Sequence, residues 1–151
     1  MNLNPTFHFS KSVTINVSSN IIWQLLANTN DMNIAVGLPA VSYAAVEEDE
    51  TGIFRWATAK PAPFIELRWK ERPFSWIKNK FYKVKREFKN SPIKAIEAGI
   101  RIVEAKDNKT TVEITADIQV RSLFFSLLAL IAGKKAVNDI AGFILKFEKK
   151  H

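Results

Sequence analysis

The chain has 151 residues, enough for one domain with a single sizeable core, and its 47% hydrophobic and 25% charged residues exclude intrinsic disorder. It contains no cysteine, which rules out disulfides, thiolate metal sites and thiol nucleophiles and suits a reducing cytoplasm, the expected location. The net charge of +7, from 22 Lys and Arg against 15 Asp and Glu, favours acidic partners in general: nucleic acid, an anionic membrane or an acidic protein face. The excess is concentrated in Lys78, Lys80, Lys83, Lys85, Arg86 and Lys89 and at the C-terminus, with Glu47, Glu48, Asp49 and Glu50 forming an opposing tip.

Met1 to Phe9 lacks the basic start and apolar run of a secretory signal. From there Phe7, Phe9, Val13, Ile15 and Val17 alternate with polar residues, a period of two that predicts a half-buried strand. Ser18 or Ser19 then caps a helix carrying Ile22, Trp23, Leu25 and Leu26, and a second short helix is expected from Asn30 to Gly37, ended by Pro39. Six strands follow as three pairs. Val41–Glu48 and Ile53–Lys60 flank the turn at Thr51-Gly52. Phe64–Glu71 and Lys80–Phe88 flank a loop with Pro73, Phe74 and Trp76. Ile93–Ala105 and Thr110–Val120 flank Lys106-Asp107-Asn108-Lys109.

After Ser122 the period changes. Ala136, Ile140, Phe143, Ile144 and Phe147 form one helical stripe opposite Lys135, Asn138, Asp139, Lys146 and Lys149, while Leu123 to Ala132 is apolar all round. Gly133, between these halves, is expected to bend or break the helix. The apolar stretch is ten residues long, short of the roughly 20 a membrane-spanning helix needs, so no transmembrane segment is expected. The order of elements predicts an α+β domain in which a seven-stranded antiparallel sheet curls round a long C-terminal helix. Such a sheet cannot pack one helix tightly along its whole width, so an apolar cavity between them is expected.

Catalytic signals are weak. His8 and His151 are the two histidines, one on the polar phase of a strand and one terminal, which excludes a histidine triad or a two-histidine metal site. There is no nucleophile elbow, phosphate-binding glycine loop or zinc motif, and no cofactor is expected. Glu66 and Glu71 fall on opposite faces of a regular strand and make a poor acid–base pair.

The informative residues are charges on apolar phases. Arg86 shares its phase with Tyr82, Val84 and Phe88, and Glu71 with Ile65, Leu67 and Trp69. A charge on a buried face must be paired, because desolvating it alone costs roughly several kcal/mol. Arg86 is therefore either half of a structural ion pair, for instance with Glu104, or the holder of an anionic ligand head. Trp23, Phe54, Trp56, Trp69 and Tyr82 are expected to point inward, where they fill the core or line a pocket. Val84, Ile100, Ile114, Ile118, Ile140 and Phe143 complete the expected lining. Phe74 and Trp76, in a loop, staple the hairpin, close the pocket mouth or dip into a membrane.

The stretches NTNDMNIAVGLPAV (Asn28–Val41) and RWKERPFSWIKNKFYKVKREF (Arg68–Phe88) sharpen this reading. With Asn33, Gly37-Leu38-Pro39, Trp69, Glu71, Pro73-Phe74, Trp76, Val84, Arg86 and Phe88, they resemble a module of the START-like superfamily that precedes class III nucleotide cyclase domains in bacteria. Ser91-Pro92 stands where that module usually has Gly-Pro. The resemblance covers nearly the whole chain and implies the helix-grip fold. It also implies a sensory or regulatory domain that binds a hydrophobic or amphipathic small molecule, with a downstream cyclase domain or a second copy as protein partner. Lys149-Lys150-His151 fits a domain edge within a longer protein.

The alternatives are a START-like enzyme of the polyketide cyclase/dehydrase type and, third, binding of nucleic acid or an anionic membrane through Lys78–Lys89. Alternation places Lys83 and Lys85 opposite Tyr82 and Phe88, which denies the third reading a combined charged and stacking platform.

Overall fold

A computed structural model describes residues 4–27, 40–72 and 75–150. The expected helix Asn30–Gly37 and the motif residues Asn33, Gly37, Leu38, Pro39, Pro73 and Phe74 lie outside the described residues, as does the side chain of Trp76.

Strand β1 (Thr6–Ile15) leads into helix α1 (Ser19–Ala27), then strands β2 (Ser42–Asp49), β3 (Gly52–Ala62) and β4 (Ile65–Glu71). A three-residue strand, β5 (Ser75–Ile77), precedes β6 (Phe81–Phe88), β7 (Ile93–Lys106) and β8 (Lys109–Val120). A 3-10 turn (Leu123–Phe125) opens helix α2 (Ser126–Glu148). The strands join in the order β1-β8-β7-β6-β4-β3-β2, every pair antiparallel, with β5 paired to β6 alone. This is the curved seven-stranded sheet and long helix expected from the sequence, with β5 added inside a predicted loop.

Local chemistry accounts for the connections. Asp107 and Asn108, both at positive φ (51° and 60°), close a two-residue β7–β8 hairpin, a conformation that Asp and Asn tolerate better than branched residues. Gly52 takes φ 121° at the β2–β3 turn, beside an Asp49 side chain that accepts from the Thr51 amide.

Helix α2 rests on β1 and β8. Its most buried residues are Ala129, Gly133, Val137, Ala141 and Ile144, small for the most part, so its backbone comes close to the sheet. Ile15, Ile22, Leu26, Val112, Ile114 and Ile144 are fully buried between helices and sheet, and Ile140, Phe143 and Phe147 pack round them. Thr110, also fully buried, donates its hydroxyl hydrogen to the Val17 carbonyl at 2.7 Å. At the far end the Glu148 carboxylate accepts from the amide and the side chain of Asn16, tying the helix to the end of β1.

The helix runs unbroken through Gly133, contrary to the expected bend. A Cβ at this position would lie 2.1 Å from the ring of Phe9, so the glycine admits a neighbouring ring and does not interrupt the helix. The apolar start of the helix is only partly covered: Ala129 is buried, whereas Leu123, Phe124, Leu127, Leu128, Leu130 and Ile131 are exposed. Among the described residues no helix is long and apolar enough to cross a membrane.

Candidate functional site

The cavity lies where the helix leaves the middle of the sheet. Register places Tyr82, Val84 and Arg86 on one face of β6, opposite Ile100, Ala98 and Ile96 of β7, which in turn oppose Ile114, Ala116 and Ile118 of β8. Because α2 sits on β1 and β8, β6 and β7 are left with space above this face. The result is a hollow of about 320 Å³, walled on the helix side by Ala132, Lys135, Ala136, Val137, Asp139 and Ile140. That volume is at the lower end of the range typical of small-molecule sites. Its walls are overwhelmingly aliphatic, and it reaches the surface beside Lys135, which is exposed and paired with Asp139 four residues on.

Seven residues singled out from the sequence meet in this cavity: Tyr82, Val84, Arg86, Ile100, Ile114, Ile118 and Ile140. Five do not line it. Trp23 and Phe143 pack against the central core. Trp69 is buried further along the same sheet face, with Val41, Ala57 and Ala59. Phe54 and Trp56 project from the opposite face, correcting the expectation that they point inward. Ala57 and Ala59 hold the inward positions of β3, and Ala57 pairs with Trp69, whose bulk fills the space there.

On that outer face Phe54 and Trp56 meet edge-to-face, with ring centroids 5.9 Å apart. Lys70 Nζ lies 4.1 Å from the Phe54 ring centre, and Arg68 and Lys89 lie 4.4 and 4.9 Å from that of Trp56. The sequence signal for this arrangement is the phase shared by Arg68 and Lys70 on β4 and by Arg72 just beyond it, with Lys70 set opposite Trp56 by register. Since the chain's own cations already lie against the Trp56 ring, it is not a free stacking platform for nucleic-acid bases.

At one end of the cavity the apolar face carries its charges. Register aligns Arg55, Glu71 and Arg86 across three adjacent strands. Glu71 is 2% exposed and accepts from Arg55 Nη2 at 3.1 Å, from Trp69 Nε1 at 3.2 Å and from Arg86 Nε at 3.3 Å. These three donors offset the desolvation of its charge. The ion partner of Arg86 is thus Glu71, on the neighbouring strand, and not Glu104, which sits opposite Thr111 near the far end of β7. Arg55 also stacks on Tyr43, 3.6 Å from the ring centre. Burial, followed by the charge of Glu71, raises the Tyr43 phenol above its usual range, so this tyrosine stays neutral.

Elsewhere His8 pairs with Asp117 at 2.5 Å, and no cluster of metal-binding side chains occurs among the described residues.

No protein-family model and no curated protein matches the sequence. Solved structures do match its fold. The Zhui aromatase/cyclase from a Streptomyces species superposes with a TM-score of 0.61 at 13% identity, covering 91% of this chain and 93% of that one. Truncated norcoclaurine synthase from Thalictrum flavum gives 0.58 at 15% identity, covering 96% and 97%. Ara h 8.0201 gives 0.57 at 10% identity, covering 94% and 99%. At these identities the likeness establishes the helix-grip fold and nothing finer.

Proposed function

We propose that this domain binds an apolar or amphipathic small molecule between sheet and helix, without turnover of its own. The observation that carries the reading is the cavity of about 320 Å³, an almost wholly aliphatic space that ends in an arginine. Burial of a ligand's apolar surface there contributes roughly 25 cal/mol per Å². The fold neighbours include proteins named as a synthase and a cyclase alongside Ara h 8.0201, so the likeness is equally compatible with an enzyme of this fold. Binding without catalysis is preferred because, among the described residues, the lining lacks histidine and its one carboxylate, Asp139, is already paired with Lys135.

Native mass spectrometry of the protein as purified from cells tests this. The expected spectrum contains a lipid-like adduct in wild type and none in Ala98→Phe, where a ring occupies the middle of the cavity. Bare protein that also fails to bind any added lipid would overturn the reading.

The role of binding is proposed to be regulatory, with ligand state passed to a nucleotide cyclase domain. Two things support this: the resemblance carried by Arg68–Phe88, and the exposed Leu123, Phe124 and Leu127. These residues lie just before and in the first turn of the helix that forms one wall of the cavity.

A further inference from the structure

Among the described residues, the charges at the end of the cavity are not balanced. Glu71 contributes −1 and Arg55 and Arg86 +1 each, leaving +1 on the inner face, while Lys135 and Asp139 on the helix cancel. Arg86 spends only Nε on Glu71, and among the described residues its two terminal nitrogens meet no acceptor. Arg86 lines the cavity and its side chain is 22% exposed, which puts it within reach of whatever fills the space. The planar guanidinium is held at Nε by Glu71, and its Cζ lies over the Trp69 ring, 5.4 Å from the ring centre, two contacts that restrict its orientation. Its free edge then presents two parallel N–H donors, the geometry that a carboxylate matches.

We infer that the natural ligand is an amphipathic carboxylate whose head bridges the terminal nitrogens of Arg86 and whose apolar body lies along Ile96, Ile118 and Ile140. This rests on the proposed ligand-binding function and narrows it to one chemical class. Glu71 is a positioning residue with two opposed effects. It holds Arg86 in place, and its own charge weakens the field that an incoming anion meets. The surplus of +1 suits a singly charged head and disfavours a cation.

Calorimetric titration with octanoate and with octanol, which share a chain and differ in the head, tests the inference. In wild type, octanoate is expected to bind about tenfold more tightly than octanol. Arg86→Gln should weaken octanoate by about tenfold and leave octanol within about threefold. Glu71→Gln keeps a hydrogen-bond acceptor for Trp69 while removing the opposing charge, so octanoate affinity should rise several-fold, roughly, with octanol unchanged.

A purely structural pair would move both ligands together. Equal changes for the two ligands, or octanol binding as well as octanoate in wild type, would overturn the carboxylate assignment and leave the cavity reading standing. If neither compound binds, both fall. Should Arg86→Gln fail to fold, the wild-type comparison and Glu71→Gln still decide.

Discussion

Asp49 shows how one side chain can organise a surface that alternation alone does not explain. Its two oxygens accept from both Arg72 terminal nitrogens at 2.9 Å and from Lys70 at 2.9 Å, and Arg72 reaches on to Glu87 at 3.3 Å. The bonds from Arg72, then Lys70, then Thr51 hold its carboxyl far below the usual carboxylate range. A group whose native pKa is depressed contributes stability above its unfolded value, about pH 4 for Asp, and loses it as the pH falls further. Asp49→Asn is therefore expected to be less stable than wild type at about pH 6, with the gap closing below about pH 4. Urea unfolding across that range checks it; a gap independent of pH would mean that the carboxylate charge is not what stabilises this network.

The elements meet by close approach, and the contact between α2 and β1 is the tightest test of it. Phe9 lies against the backbone of the helix because Gly133 offers no side chain. In an isolated helix, Gly133→Ala would gain roughly 1 kcal/mol of propensity. In this protein the added Cβ would displace the Phe9 ring, and overpacking of this kind costs about 1–3 kcal/mol. A net loss of stability is expected, and adding Phe9→Leu should recover part of it, since neighbouring substitutions couple. Chemical denaturation of the two single variants and the double variant measures the coupling. A more stable Gly133→Ala protein would show that the contact is loose. Low helix propensity predicts a bend at Gly133, yet the helix runs on unbroken because the constraint on this residue acts between elements.

At the scale of the whole molecule, the off-centre seat of α2 makes the cavity and also leaves the helix start uncovered. Phe124 is 87% exposed and Leu127 68% exposed, and exposed clusters of large apolar side chains are characteristic of interfaces. This is the structural support for the proposed regulatory role. Reading the gene on both sides of the segment encoding residues 1–151 checks it: a nucleotide cyclase domain in the same frame is the expected outcome. A frame without one, together with a monomeric protein whose stability and ligand affinity are unaltered by Leu127→Ser, would remove the proposal.

Local pattern was enough to read the seven long strands, their pairs, the helix after β1 and the C-terminal helix, and which phase of β6, β7 and β8 is apolar, though not the short β5. Alternation along a strand and 3.6-residue periodicity along a helix are local, so they can be read from one stretch at a time. It also marked Glu71 and Arg86 as charges that needed partners. What those partners are, and that Arg55 joins them, depended on register across β3, β4 and β6, which no single strand encodes. The outward placement of Phe54 and Trp56 was decided in the same way. Both phases of β3 carry apolar residues, and only the bulk of Trp69 on the next strand selects Ala57 and Ala59 for the inside. The cavity is likewise tertiary, because its space exists where small residues seat the helix on β1 and β8 and leave β6 and β7 free.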